Sequence, residues 1–115
     1  MPPTKTAVAA ELIQGCCNLV DPGMGDDEAV VVADRFKALA DPTRVRLLNI
    51  LMRNPELCVC DLLTNFDLSQ GTISHHLGIL KKAGLVESNE RGRWAFYRAN
   101  KQTIGALGEI LEVAQ

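Results

Sequence analysis

Apolar residues recur every three or four places along most of the chain, and every second place in one short stretch near its end. The first clear run follows Asp26-Asp27-Glu28, acids suited to an opening helical turn, and continues through Val32, Phe36, Leu39 and Ala40. Asp41-Pro42 then places an N-cap before a proline at the first helical position. Val45, Leu48, Leu51 and Met52 predict one buried face of that helix, and Asn54-Pro55 ends it. Cys58 to Phe66 reads as a short helix and Asp67-Leu68 as a turn. Ser69 caps a longer helix running to about Ala83, with Ile73, Leu77 and Leu80 facing inward and Gly84 as its C-terminal cap residue.

Beyond Gly84 the pattern alternates. Leu85 to Ser88 and Trp94 to Arg98 flank Asn89-Glu90-Arg91-Gly92-Arg93, which predicts a hairpin with a charged, glycine-containing tip. Ile104, Leu107 and Leu111 close the chain on a short amphipathic helix. At the other end, Thr6 to Gln14 is helical by its Ala, Leu and Glu, and Asp21-Pro-Gly-Met-Gly-Asp breaks the chain after it. Two parts follow: residues 1–25, a helical segment and linker carrying Cys16 and Cys17, and residues 26–115. The order of elements in the second part predicts a mostly α winged helix-turn-helix with a small β-hairpin wing.

Composition narrows the class. With 115 residues, 47% of them hydrophobic and 23% charged, the chain has the make-up of one soluble globular domain. A chain of this size buries only about 60–65% of its unfolded surface, so association into a dimer is expected. No apolar run approaches the roughly 18–20 residues of a membrane helix, and Met1-Pro-Pro-Thr-Lys lacks the apolar core of a signal peptide. The expectation is a cytoplasmic protein with no membrane partner, in which structural disulfides are not expected.

Charge adds a polarity that the net value of −2 conceals. Residues 1–36 carry two basic side chains against six acidic ones, whereas residues 69–101 carry six basic against two acidic. A weakly acidic protein binds nucleic acid when its positive charge is gathered on one face. The helix opening at Ser69 offers Gln70, Thr72, Ser74, His75 and His76, polar groups suited to base edges and phosphates in a major groove. Gly71 lets that helix approach closely, and Arg91 and Arg93 on the hairpin tip are placed for an adjacent groove or the backbone. A capped surface helix with two incidental histidines accounts for Ser69 but not for the basic hairpin beside it.

The four cysteines form two tight pairs, Cys16-Cys17 and Cys58-x-Cys60. A single cysteine is more often a small buried hydrophobe. Two close pairs in a reducing compartment instead predict a thiolate site for a soft metal or metalloid. Residues i and i+2 lie about 200° apart around an α-helix, so Cys58 and Cys60 share an ion only if the start of their helix is unwound. Whether Cys16 and Cys17 reach them within one chain or across a dimer is open from spacing alone. An enzyme is the rival class, but the pairs lack the two-residue spacing of a redox motif and the body is too small for a deep pocket.

The segments Phe36-Lys-Ala-Leu-Ala-Asp-Pro-Thr-Arg-Val-Arg-Leu-Leu, Glu56-Leu-Cys-Val-Cys-Asp-Leu, Leu68-Ser-Gln-Gly-Thr-Ile-Ser-His-His-Leu, Lys81-Lys-Ala-Gly-Leu-Val and Arg91-Gly-Arg together resemble the ArsR/SmtB metal-responsive repressors. The resemblance implies a homodimer joined through its first and last helices. It implies an apo form bound to operator DNA and released when metal binds. Members with the Cys-Val-Cys box sense As(III) or Sb(III), or else Cd(II), Pb(II) or Zn(II). The arsenical pattern carries a third cysteine where this chain has Leu63, so a three-thiolate site would draw on Cys16-Cys17. Adjacent N-terminal cysteines favour the arsenic and antimony sensors. The zinc-type site of Asp and His on the last helix is missing, since residues 101–115 contain neither.

Overall fold

The structure, a computed structural model, describes residues 19–113. The expected helix over Thr6 to Gln14, with Cys16 and Cys17, lies outside the described residues. Within them the order is α1 (Asp26–Leu39), α2 (Pro42–Arg53), β1 (Leu57–Cys58), α3 (Val59–Leu63), α4 (Gln70–Lys82), β2 (Val86–Arg91), β3 (Trp94–Ala99) and α5 (Lys101–Ile110). It is a mostly α winged helix-turn-helix.

Local chemistry sets the boundaries. The Asp41 carboxylate accepts from the backbone N–H groups of Thr43 and Arg44 at 2.9 and 3.2 Å, satisfying donors that the first turn leaves without partners. Ser69 does the same for Thr72, and Asn100 for Thr103. At the end of α4, Leu85 N–H reaches the Leu80 carbonyl and Gly84 N–H that of Lys81, a reversal that needs the φ of +80° Gly84 adopts.

One core joins the elements. Leu47 and Leu51 of α2, Leu62 of α3, Ile73, Leu77 and Leu80 of α4, and Leu85 have no exposed surface. The buried stripe of α2 therefore differs from the expected one. Leu47, Leu48 and Leu51 face inward, while Val45 and Met52 are 51% and 37% exposed. Arg44 shares the inward side with that stripe: its Nε donates to the Ala38 carbonyl at 2.6 Å and fastens the end of α1 to the start of α2.

The sheet has three strands in the order β1-β3-β2, all antiparallel. The expected hairpin is present, but its connection is tighter than the five residues read from sequence. Arg91 pairs with Trp94, which leaves Gly92-Arg93 as a two-residue turn with Gly92 at φ +65°. The third strand, β1, is a correction to the all-helical reading of Cys58 to Phe66: Leu57 pairs with Tyr97 and Cys58 with Phe96.

Candidate thiolate and nucleic-acid interface

Cys58 ends β1 and caps α3. Its backbone is extended, at φ −84° and ψ 165°, and its Sγ accepts from Asp61 N–H at 3.3 Å. The Asp61 carboxylate returns the contact, accepting from Cys58 N–H at 3.1 Å. This is a reciprocal capping box with cysteine in the position that serine or threonine ordinarily fills. Because helical winding starts only at Val59, the 200° separation of an ideal helix does not apply between Cys58 and Cys60.

Their Cα atoms lie 5.3 Å apart, and the structure joins the sulfurs as a disulfide. This corrects the expectation that structural disulfides do not occur in the chain. The physical reason is the change from strand to helix between the two residues, which turns both side chains to the same side. Cys58 is buried, Cys60 and Asp61 are exposed, and donor atoms of all three fall within 4.8 Å of one another. In the dithiol state that arrangement offers a soft ion two sulfurs and, beside them, a carboxylate oxygen. Asp61 was not among the expected site residues; the Cys-x-x-Asp spacing was its available signal.

The residues expected to read DNA divide into engaged and free. Ser69 Oγ donates to Thr72 Oγ1 at 3.0 Å, so these two hydroxyls are occupied in capping α4. Gln70 and His75 are exposed. His76 is half-buried and meets Arg44 Nη1 through Nδ1 at 3.1 Å. A guanidinium only donates, so Nδ1 accepts there and the ring hydrogen sits on Nε2. Arg44 thus fixes which His76 nitrogen donates outward, a role the sequence did not reveal.

The same arginine shapes the local electrostatics. Burial pushes the Asp41 carboxyl up, but backbone N–H donors from Arg44 and Thr43, with the charge of Arg44, outweigh it and hold the group below its ordinary range.

On the wing, the two arginines differ. Arg91 pairs with Glu56 and lies over the Phe96 ring, 4.1 Å from its centroid. Arg93, in the turn, is exposed and borders a cavity of about 210 Å³ between α3, α4 and the wing. Gln70 and Ser74 edge the same cavity, as does Cys60. The arrangement brings Cys60, part of the reading helix and the wing tip around one space.

Comparison with known proteins agrees with this geometry. Residues 41–88 match the family model described as "Bacterial regulatory protein, arsR family". The arsenical resistance operon repressor of Escherichia coli K12 is 40% identical over 79 residues, which span 69% of this chain and 68% of that protein. The cadmium resistance regulatory protein CadC of Listeria innocua is 42% identical over 79 residues, spanning 69% and 66%. Among solved structures, the homodimeric winged helix-turn-helix DNA-binding domain from Mycobacterium bovis superposes with a TM-score of 0.63 at 29% identity, covering 78% of this chain and 86% of that one.

Proposed function

The chain belongs to the arsR family of bacterial regulatory proteins, as a DNA-binding transcriptional repressor and not an enzyme, and from that premise we propose that it is a homodimer released from its operator by As(III) or Sb(III). The apo dimer holds double-stranded operator DNA through Ser69, Gln70, Thr72, Ser74, His75 and His76 of the reading helix and its cap, and through Arg91 and Arg93 of the wing. The inducer binds thiolates of Cys58 and Cys60, with Cys16 or Cys17 as the further ligand, across the dimer. Residues 1–25 act as the arm that delivers those thiols to the domain of residues 26–115. The compartment that suits this is the cytoplasm; among the described residues no helix is long and apolar enough to cross a membrane.

The observation that supports this reading is the meeting of the Cys58 and Cys60 sulfurs at the junction of α3 with β1, a strand that belongs to the wing's own sheet. A ligand on Cys58 acts on β3 through two register pairs and on α3, the first helix of the DNA-reading pair, through its cap. Further support comes from Gly71, where an added Cβ would meet only Ser69 Oγ, at 3.9 Å, so the chain's own packing does not demand glycine. Exposed Val30 and Val31 on α1 and Ile110 and Leu111 at the end of α5 supply apolar surface for a second copy.

Operator-fragment binding with arsenite, cadmium and hydrogen peroxide tests the proposal. Release by arsenite, lost when Cys16 and Cys17 are replaced by Ser, is the expected result. Release by cadmium with four sulfurs counted by X-ray absorption would favour a Cd(II), Pb(II) or Zn(II) sensor instead. The Cys58–Cys60 disulfide favours a second reading, thiol-redox sensing, and release by peroxide alone would select it. No release by any agent would end the sensing proposal.

A further inference from the structure

Arg44 is engaged on two sides at once. Its Nε donates to the Ala38 carbonyl at 2.6 Å and its Nη1 to His76 Nδ1 at 3.1 Å, so the guanidinium is held between the end of α1 and the flank of α4. The ring it meets has a defined place on α4. Ile73, Leu77 and Leu80 form a stripe with no exposed surface. At about 100° per residue, His75 falls opposite that stripe and His76 to one side of it, the side that meets α2. His75 is accordingly exposed and His76 half-buried. When a helix lies in a major groove, the line opposite its buried stripe faces base edges, and its sides face the groove walls, which are phosphate backbone. This side is basic: Lys37 and Lys82 are exposed around the cleft that Arg44 lines, with Asp34 the one acid among them. The nearby Asp41 carboxylate is turned to the backbone N–H groups of Thr43 and Arg44.

We propose that Arg44 is a positioning residue for operator binding, which delivers its charge through His76 to a backbone phosphate that it does not itself touch. The inference rests on the assignment of α4 as the DNA-reading helix. A guanidinium offers hydrogens and no lone pair, so His76 Nδ1 accepts and Nε2 carries the ring hydrogen. The ring therefore has one polarity, an acceptor toward Arg44 and a donor on its other edge, and a phosphate oxygen presents only lone pairs to that donor. Hydrogen bonds in a chain polarise one another, so the cation behind the ring strengthens the grip of Nε2. Such a contact carries no sequence information and fixes the register of α4 against the strand. The two adjacent histidines thus take different duties: His75 meets base edges and His76 holds the backbone.

The test follows the full-length protein by fluorescence anisotropy on two duplexes across a salt series: an operator that the unsubstituted protein selects from a random pool, and a scrambled sequence. His76→Leu is expected to weaken binding to both duplexes alike, by about tenfold or more, the worth of one hydrogen bond to a charged group. Arg44→Gln is expected to weaken both in the same way and to lower the slope of log affinity against log salt by about 1. Where His76→Leu is already present, Arg44→Gln should add almost nothing, because the two act as one unit. His76→Gln, whose amide accepts from Arg44 and donates from its nitrogen, should restore binding to within about threefold of the unsubstituted protein. Arg44→Gln also frees the Ala38 carbonyl and can unsettle the fold, so a second measurement leaves Arg44 in place. In operators carrying one neutral methylphosphonate at a time, a single position per half-site should penalise the unsubstituted protein and not His76→Leu. Additive losses from the two substitutions, a loss confined to the operator duplex, or no phosphate whose neutralisation is masked by His76→Leu would overturn the proposal. Failure of the unsubstituted protein to select any operator would strike the DNA-reading assignment and this inference with it, whereas intact selection with binding indifferent to His76 would strike this inference alone.

Discussion

Helix α4 sends Ile73, Leu77 and Leu80 into the core with no exposed surface, whereas β3 buries only Ala99, the residue at its root. α4 is also pinned from outside the core, by Arg44 at His76 and by Arg35, whose Nε donates to the Ala83 carbonyl at 3.3 Å. The wing's outer half depends instead on β1, through two register pairs and the Glu56–Arg91 ion pair. The two parts proposed to face DNA therefore differ in what moves them. Displacing α4 requires repacking the core, but displacing the wing requires only a shift of the strand that carries Cys58. The proposed thiol-bound inducer would therefore act first on the softer part.

The contrast breaks most decisively in the core. Leu77→Ala should cost about 2–5 kcal/mol of stability and lower the melting temperature by ten degrees or so, read by calorimetry. A change within error would show that α4 is not anchored as described. Next in size, Gln70→Ala should weaken specific operator binding by about 1–3 kcal/mol while leaving non-specific DNA affinity almost untouched, as fluorescence anisotropy would show. An equal loss on both DNAs would remove Gln70 from base reading.

Arg93→Ala should reduce the slope of log affinity against log salt by about 1, and Arg91→Ala by less, because Glu56 already neutralises part of its charge. Equal slopes would erase the distinction between the two arginines. The smallest effect concerns Asp41, whose carboxyl titrates below its ordinary range when folded. Its contribution to stability is present above the ordinary carboxylate range and is lost as pH falls through the lowered folded value. Asp41→Asn should therefore flatten the acid limb of a urea-unfolding profile, and an unchanged limb would assign the acid sensitivity elsewhere.

What the sequence made legible was local. The Asp41-Pro42 start, the Ser69 cap, the inward face of α4 and the Gly84 stop each depend on residues within a turn of one another, and each is present. What escaped depends on contacts distant along the chain. β1 is two residues long and exists only because β3, almost forty positions later, lies beside it. Arg91 reads as a free tip residue until Glu56, 35 places away, takes it up. The stripe on α2 was misplaced because Val45 and Met52 fit the spacing as well as Leu47 does, and only the neighbouring helices choose between them. The sulfur pair was legible together with its condition, an unwound helix start, but not the strand β1 that meets that condition.

The double duty of Cys58, last residue of a strand and cap of a helix, limits how this regulator can be altered. Adding or deleting a single residue between Glu56 and Cys58 would turn the sulfur to the opposite face of the sheet and uncap α3 in the same stroke. If Cys58 is an inducer ligand as proposed, tuning toward another ion would be mechanically simpler through the partner donors than through this position, which would leave Cys58 as the fixed point about which inducer choice drifts.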